Sequence, residues 1–230
     1  MKSLTTITLI ALLEAAGVSA TTYGFGPYFS LGPTNSWIRE ANTTLVLPDV
    51  PSPAADRLAL WPGMGTSDGD LIQAIAVATK SPSTECGGST GQWCVFASTL
   101  ETEQEYGTEL PENSGTALTI HYKYNDSTQK YDQTVSVNGV VVSSISTRST
   151  LASGEAEGFG TAVECQDDAC DSTVGAHQYL DTTVILDSSD STFGDTLALN
   201  EATSSGLSTT DGGITWVVDT IDIQAHTFAL

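Results

Sequence analysis

Short runs of alternating apolar and polar residues, each soon stopped by Gly, Pro, Asn, Asp or Ser, dominate the chain after residue 20. A period of two excludes amphipathic helices as the main unit, because a helix needs apolar residues every three to four positions. The clearest unit is QTVSVNGVVVSS, residues 133–144, where Asn138-Gly139 supplies the two positive-φ residues of a type I′ turn. Pairing outward from that turn sets Val137 against Val140 and Val135 against Val142, an apolar face. ALTIHYKYN, residues 117–125, alternates Leu118, Ile120, Tyr122 and Tyr124 with Thr119, His121 and Lys123. Further strands are predicted over 42–47, 57–61, 70–78, 92–98, 177–186 and 214–223. Many strands with frequent turns predict an all-β fold, an antiparallel two-sheet β-sandwich or jelly roll with a concave ligand-binding face. No internal repeat or long linker divides residues 21–230, so they are read as one domain.

Residues 1–20, MKSLTTITLIALLEAAGVSA, have an early lysine, an apolar run from Ile7 to Leu13 and a small-residue end at Val18-Ser19-Ala20. That is the layout of a signal peptide, and the run is too short to span a bilayer. A secretory-pathway protein without a membrane anchor is expected. Cys86, Cys94, Cys165 and Cys170 make an even count, which in such a compartment reads as two disulfides. Four cysteines allow three connectivities; the turn-forming segments favour Cys86 with Cys94 and Cys165 with Cys170. The sequons at Asn42 and Asn125 are candidate glycosylation sites.

Seven basic and 28 acidic residues give a formal charge of −21. Such a surface excludes nucleic acid and anionic membranes as partners and suits an acidic medium, where protonation relieves self-repulsion. No cofactor motif stands out, and the cysteines and the scattered His121, His177 and His226 lack zinc-ligand spacing, so no metal is expected. The absence of G-x-S-x-G gives no support to Ser-His-Asp chemistry. Oligomeric state is not readable.

Two segments carry candidate chemistry. In RLALWPGMGTSDGDLIQAIAVATK, residues 57–80, Leu71, Gln73, Ile75 and Val77 share one strand face. A glutamine among aliphatic neighbours needs hydrogen-bond partners. In GFGTAVEC, residues 158–165, Glu164 stands at an apolar-flanked strand end beside a predicted disulfide, and burial would raise its pKa into a range useful for proton transfer. His177, Tyr179 and Asp181 are predicted to share a strand face, with Arg39, His121 and Lys123 among the few bases.

Together, Trp61, Gly63 and Gln73 in the first half and Glu164 in the second resemble the glutamic peptidases, or eqolisins, a family of secreted fungal β-sandwich enzymes. Met64 stands where that family has an isoleucine, and Ala74-Ile75 replaces its x-Gly after the glutamine. The resemblance implies Glu164 as general base and acid and Gln73 as oxyanion donor, cleaving peptides in acid. Trp61, Trp93, His177 and Tyr179 are the candidate substrate-binding residues. Two other functions fit the same scaffold. One is a non-hydrolytic enzyme of fungal secondary metabolism, of the hetero-Diels-Alderase type, which dehydrates a hydroxymethyl tropolone and guides its cycloaddition to a terpene. The other is a carbohydrate-binding or carbohydrate-cleaving jelly roll, with Trp37, Trp61, Trp93 and Trp216 stacking on sugar rings. The substrate is thus a peptide or a small molecule.

Overall fold

A computed structural model describes residues 22–230; the candidate signal peptide lies outside them. Strands β1 (Tyr23–Leu31), β2 (Ile38–Val46), β3 (Leu58–Thr66), β4 (Leu71–Ala78), β5 (Trp93–Leu100), β6 (Gln104–Tyr106), β7 (Leu110–Glu112), β8 (Ala117–Asn125), β9 (Lys130–Val137) and β10 (Val140–Ser146) form the first half. The second half holds β11 (Ala156–Gln166), β12 (Thr173–Val174), β13 (His177–Leu186), β14 (Ala198–Asn200), β15 (Ala202–Ser205), β16 (Ser208–Thr209), β17 (Thr215–Ile223) and β18 (His226–Thr227).

All but β12 and β18, which pair with each other, assemble into an antiparallel two-sheet sandwich. The first sheet has the order β14-β1-β11-β3-β4-β5-β6, with β7 also on β5; the second has β10-β9-β8-β2-β13-β17-β15, with β16 on β17. Because side chains alternate across a strand, each long strand turns one set toward the other sheet. From the first sheet Phe29, Leu60, Met64, Ile72, Val95, Phe159 and Val163 point inward, against Ala41, Leu45, Ile120, Tyr122, Tyr179, Val184 and Ile221 of the second. At roughly 25 cal/mol per Å² of apolar surface removed from water, this core is the main stabilising term.

The predicted hairpin forms, with Asn138 at φ 51° and Gly139 at φ 77°. Its register departs from the expectation by one residue: Val137 pairs with Val140, but a bulge between Val141 and Ser143 sets Val135 opposite Ser143. Val142 drops out of the ladder but still packs on the core with Val135 and Val137, and of the expected apolar face only Val140 is exposed, at 65 %. A similar irregularity in β13 displaces Asp181. Pairing to β2 shifts between Leu180 and Thr183, and Asp181 takes φ 52° and faces solvent while His177 and Tyr179 face the core.

Both disulfides join the cysteines that the turn-forming segments favour, Cys86 with Cys94 and Cys165 with Cys170. The first ties the helical turn Pro82–Glu85 to β5, and the second closes the 3₁₀ turn Asp167–Asp171 that follows β11. They fit an oxidising compartment. Among the described residues no helix is long and apolar enough to cross a membrane.

One buried ion pair ties the loop after β10 to the start of β4. Arg148 donates through Nε and a terminal nitrogen to the two oxygens of Asp70, at 2.7 and 2.6 Å, and Asp70 is buried. Arg148→Ala leaves that carboxylate buried and unpaired. We expect a lower urea midpoint, with a smaller drop than breaking a fully buried pair would give because the arginine is partly exposed. An unchanged midpoint would show that solvent replaces the guanidinium without cost.

Candidate functional site

The outer face of the first sheet collects the candidate residues. Its register runs Phe25 opposite Glu164 and Glu164 opposite Ala59, then Ala162 opposite Trp61, then Gly160 opposite Gly63 and Gly63 opposite Gln73. Directly paired residues lie on the same side of a sheet, so all of these share one face. Ala59, Trp61 and Ala162 pack together there with Leu71 and Ile75, and Val77, Cys94 and Phe96 continue the apolar surface. Tyr106 extends it, its ring edge-on to Phe96 at 6.0 Å.

Glu164 is the ionisable group set into this surface. The Trp61 indole N–H donates to its Oε2 at 3.1 Å, and the Gln166 side-chain amide donates to its Oε1 at 3.1 Å. Burial raises the Glu164 pKa above that of an ordinary glutamate, and the donors on Gln166 and Trp61 offset only part of that rise. A carboxyl group held in this way can both give and take a proton.

Gln73 lies on the same face but not in the same row. On β3 its partner Gly63 is four residues from Ala59, the partner of Glu164, and β4 lies one strand beyond β3. With about 3.3 Å per residue and about 4.8 Å between strands, the two Cα atoms are on the order of 15 Å apart in a flat sheet. The row between them holds Trp61, and the register continues to Ile75, which packs on the Trp61 cluster. The expected Glu/Gln pair around one carbonyl is therefore separated by an indole and an aliphatic side chain. Gln73 is 4 % exposed, with Ser98 opposite it on β5.

Of the expected substrate-binding residues, Trp61 is in the site, whereas Trp93, His177 and Tyr179 are in the interior between the sheets. Trp93 is fully buried, with its indole N–H on the Pro48 carbonyl at 2.8 Å. The His177 Nδ1 lies 3.0 Å from the Gly175 carbonyl, while its Nε2 and the Tyr179 hydroxyl have no partner among the described residues. Their strand parity was readable in the sequence, but which parity faced inward was not. The row of exposed tryptophans that a sugar-binding face would need is also missing. Trp93 and Trp216 belong to the core, and Trp37 packs edge-on against Tyr124 at 4.9 Å.

Gln166 is the site residue that sequence reasoning missed. The available signal was its position two residues after Glu164 on a strand, hence on the same face. It also lines a cavity of about 280 Å³ with Asp56, Arg57, Thr79, Ser81, Glu85 and Asp167. That cavity is polar: Arg57 pairs with Glu85, and Asp56 accepts from the Thr79 hydroxyl at 2.8 Å and the Lys80 amide at 2.7 Å. Asp167 and Asp168 are exposed, and Asp168 also pairs with Lys80. Asn42 is half-buried on β2, and Asn125 lies at the β8 end, its side-chain amide donating to Asp132 at 3.0 Å. Among the described residues no group of three or more His, Cys, Asp or Glu side chains is arranged to hold a metal.

Two solved structures of Scytalido-glutamic peptidase match this fold, one with a peptide-based transition-state analogue and one with a transition-state-analogue inhibitor. Their sequences are 12 % and 13 % identical to this chain, with TM-scores of 0.53 and 0.55; each match covers 87 % of this chain and 99 % of the peptidase. The likeness is one of fold, the two-sheet β-sandwich. No protein-family model and no curated protein matches the sequence.

Proposed function

We propose that the outer face of the first sheet is the active face of an enzyme acting on a small, largely apolar molecule. Glu164 moves a proton at one end, and the Gln73 amide anchors a polar group of the substrate at the other. The observation that carries this reading is the setting of Glu164: a hydrogen-bonded carboxyl of raised pKa amid Phe25, Ala59, Trp61 and Ala162, with Ile75 instead of an amide in the row of Trp61. An apolar wall favours an apolar substrate body and strengthens each polar contact made beside it.

The concrete form is the dehydrating hetero-Diels-Alderase type. Glu164, protonated, gives its proton to the hydroxymethyl oxygen of a tropolone, the C–O bond breaks and water leaves. The ring hydroxyl returns a proton to the carboxylate, leaving a neutral quinone methide. Its heterodiene then forms one C–O and one C–C bond with a terpene alkene, with no further proton change. Holding both partners against the aromatic side chains lowers the entropic part of the barrier.

The fold likeness to Scytalido-glutamic peptidase favours a second reading, acid hydrolysis of peptides. Glu164 then takes a proton from the water that attacks the carbonyl and passes it to the leaving amine as the C–N bond breaks. Gln73 would donate to the oxyanion, and its distance from Glu164 weighs against that role.

The deciding experiment supplies the full chain with a hydroxymethyl tropolone and a cyclic terpene alkene and, separately, with denatured protein at acid pH, with products followed by mass spectrometry. Cycloadduct formed faster than in buffer, without peptide release, supports the small-molecule reading. Peptide release that disappears in Glu164→Gln transfers the site to the second reading. No acceleration in either assay rejects both.

A further inference from the structure

We propose that Gln166 is a positioning residue for Glu164, fixing one carboxylate oxygen while Trp61 fixes the other. The inference rests on Glu164 being the proton-transferring group.

The geometry is set by the end of β11. Gln166 follows Glu164 by two residues, and both of its backbone groups are held by Arg57, its N–H donating to the Arg57 carbonyl at 2.8 Å and its carbonyl accepting from the Arg57 N–H at 3.1 Å. With the backbone fixed, the side-chain amide reaches back along the strand to Glu164 Oε1 at 3.1 Å. A carboxylate only accepts, so the amide nitrogen, not its oxygen, must face it. Trp61 Nε1 occupies Oε2 at the same distance. One donor per oxygen fixes the plane of the carboxyl group and leaves other lone-pair directions free for substrate.

The chemical type of these donors matters. Both are neutral at every working pH, so they orient the carboxylate without the strong hold that a lysine or arginine would exert on its ionised form. The charged groups beside Gln166 are engaged elsewhere: Arg57 with Glu85, and Lys80 with Asp168. Asp56 accepts from Thr79 and Lys80, and Asp167 from the Thr22 amide at 3.2 Å. None of them hydrogen-bonds Glu164, so Gln166 and Trp61 alone offset its burial. Gln166 also forms part of the wall of the adjoining polar cavity.

The test reads Glu164 directly. The full chain is labelled with ¹³C in glutamate carboxyls, the Glu164 signal is assigned by its loss in Glu164→Gln, and its titration is followed in wild type, Gln166→Leu and Gln166→Met. Removing a neutral donor to a carboxylate moves the titration to higher pH, by about one unit for one such bond. A shift of that size in both folded variants supports the inference. An unchanged titration with only a lower melting temperature overturns it, because a merely structural side chain would do that; Gln166→Met carries the test if Gln166→Leu fails to fold. Should wild type process neither substrate class, the proposed function falls, while the titration still decides the role of Gln166.

Discussion

Glu164→Gln is expected to lower kcat by about 10² to 10⁴, the usual contribution of a positioned proton-transferring side chain, with little change in KM. The substitution keeps the volume of the side chain, and its carbonyl oxygen can still accept from one of the two donors at Trp61 and Gln166. What it removes is the exchangeable proton. A second readout separates catalysis from folding. The folded-state pKa of Glu164 is raised by burial, so its ionised form costs stability at neutral pH, and that cost disappears as pH falls through the folded value. The glutamine variant lacks the charge at every pH and should melt higher than wild type at neutral pH, with the difference shrinking in acid. An inactive, more stable variant is the pattern of a residue kept for chemistry. Unchanged kcat on a substrate that wild type turns over would remove Glu164 from the mechanism, whatever the melting data.

The strands were legible because their signals are local. Alternation in residues 117–125 and the Asn138-Gly139 turn needed no tertiary context, and β8, β9 and β10 formed there. What failed was register, which is set by contacts across strands. The bulge that skips Val142 and the one that expels Asp181 each insert a residue without any mark in composition. The same limit governed the site. Sequence placed Glu164 and Gln73 in apolar strands, and the structure puts both on one face. The distance between them depends on how β11, β3 and β4 align, and a shift of two residues would have exchanged Gln73 with Ile75 beside Trp61. Trp93, His177 and Tyr179 were misplaced for a related reason, since an aromatic or imidazole side chain suits a core as well as a pocket.

Below about pH 6.5 the protein should lose stability through His177, in opposition to the acid tolerance that its overall charge favours. His177 is 5 % exposed; burial lowers its pKa from 6.5 to about 4, and the hydrogen bond to the Gly175 carbonyl restores only part of that. The folded state thus keeps a neutral imidazole while the unfolded chain binds a proton below pH 6.5. Stability from this residue is complete above 6.5, falls as pH drops toward 4, and levels off below that value, where both states are protonated. A difference of about 2.5 pH units corresponds to about 3 kcal/mol. Carboxyls of raised pKa such as Glu164 push the other way, and not all carboxylates do. Burial alone would raise Asp190, but the Asn35 and Thr192 amides and the hydroxyls of Thr192 and Thr34 hold it far below the usual carboxylate range. It therefore stabilises the fold until very low pH. Comparing urea unfolding of wild type and His177→Gln from pH 7 to pH 4 isolates the imidazole: the variant should lack a loss on the order of 3 kcal/mol that wild type suffers across that window. The imidazole proton resonances of wild type give an independent check that does not depend on the variant folding. Titration near 4 agrees with the burial of His177, and titration near 6.5 would show that solvent reaches its unpartnered Nε2.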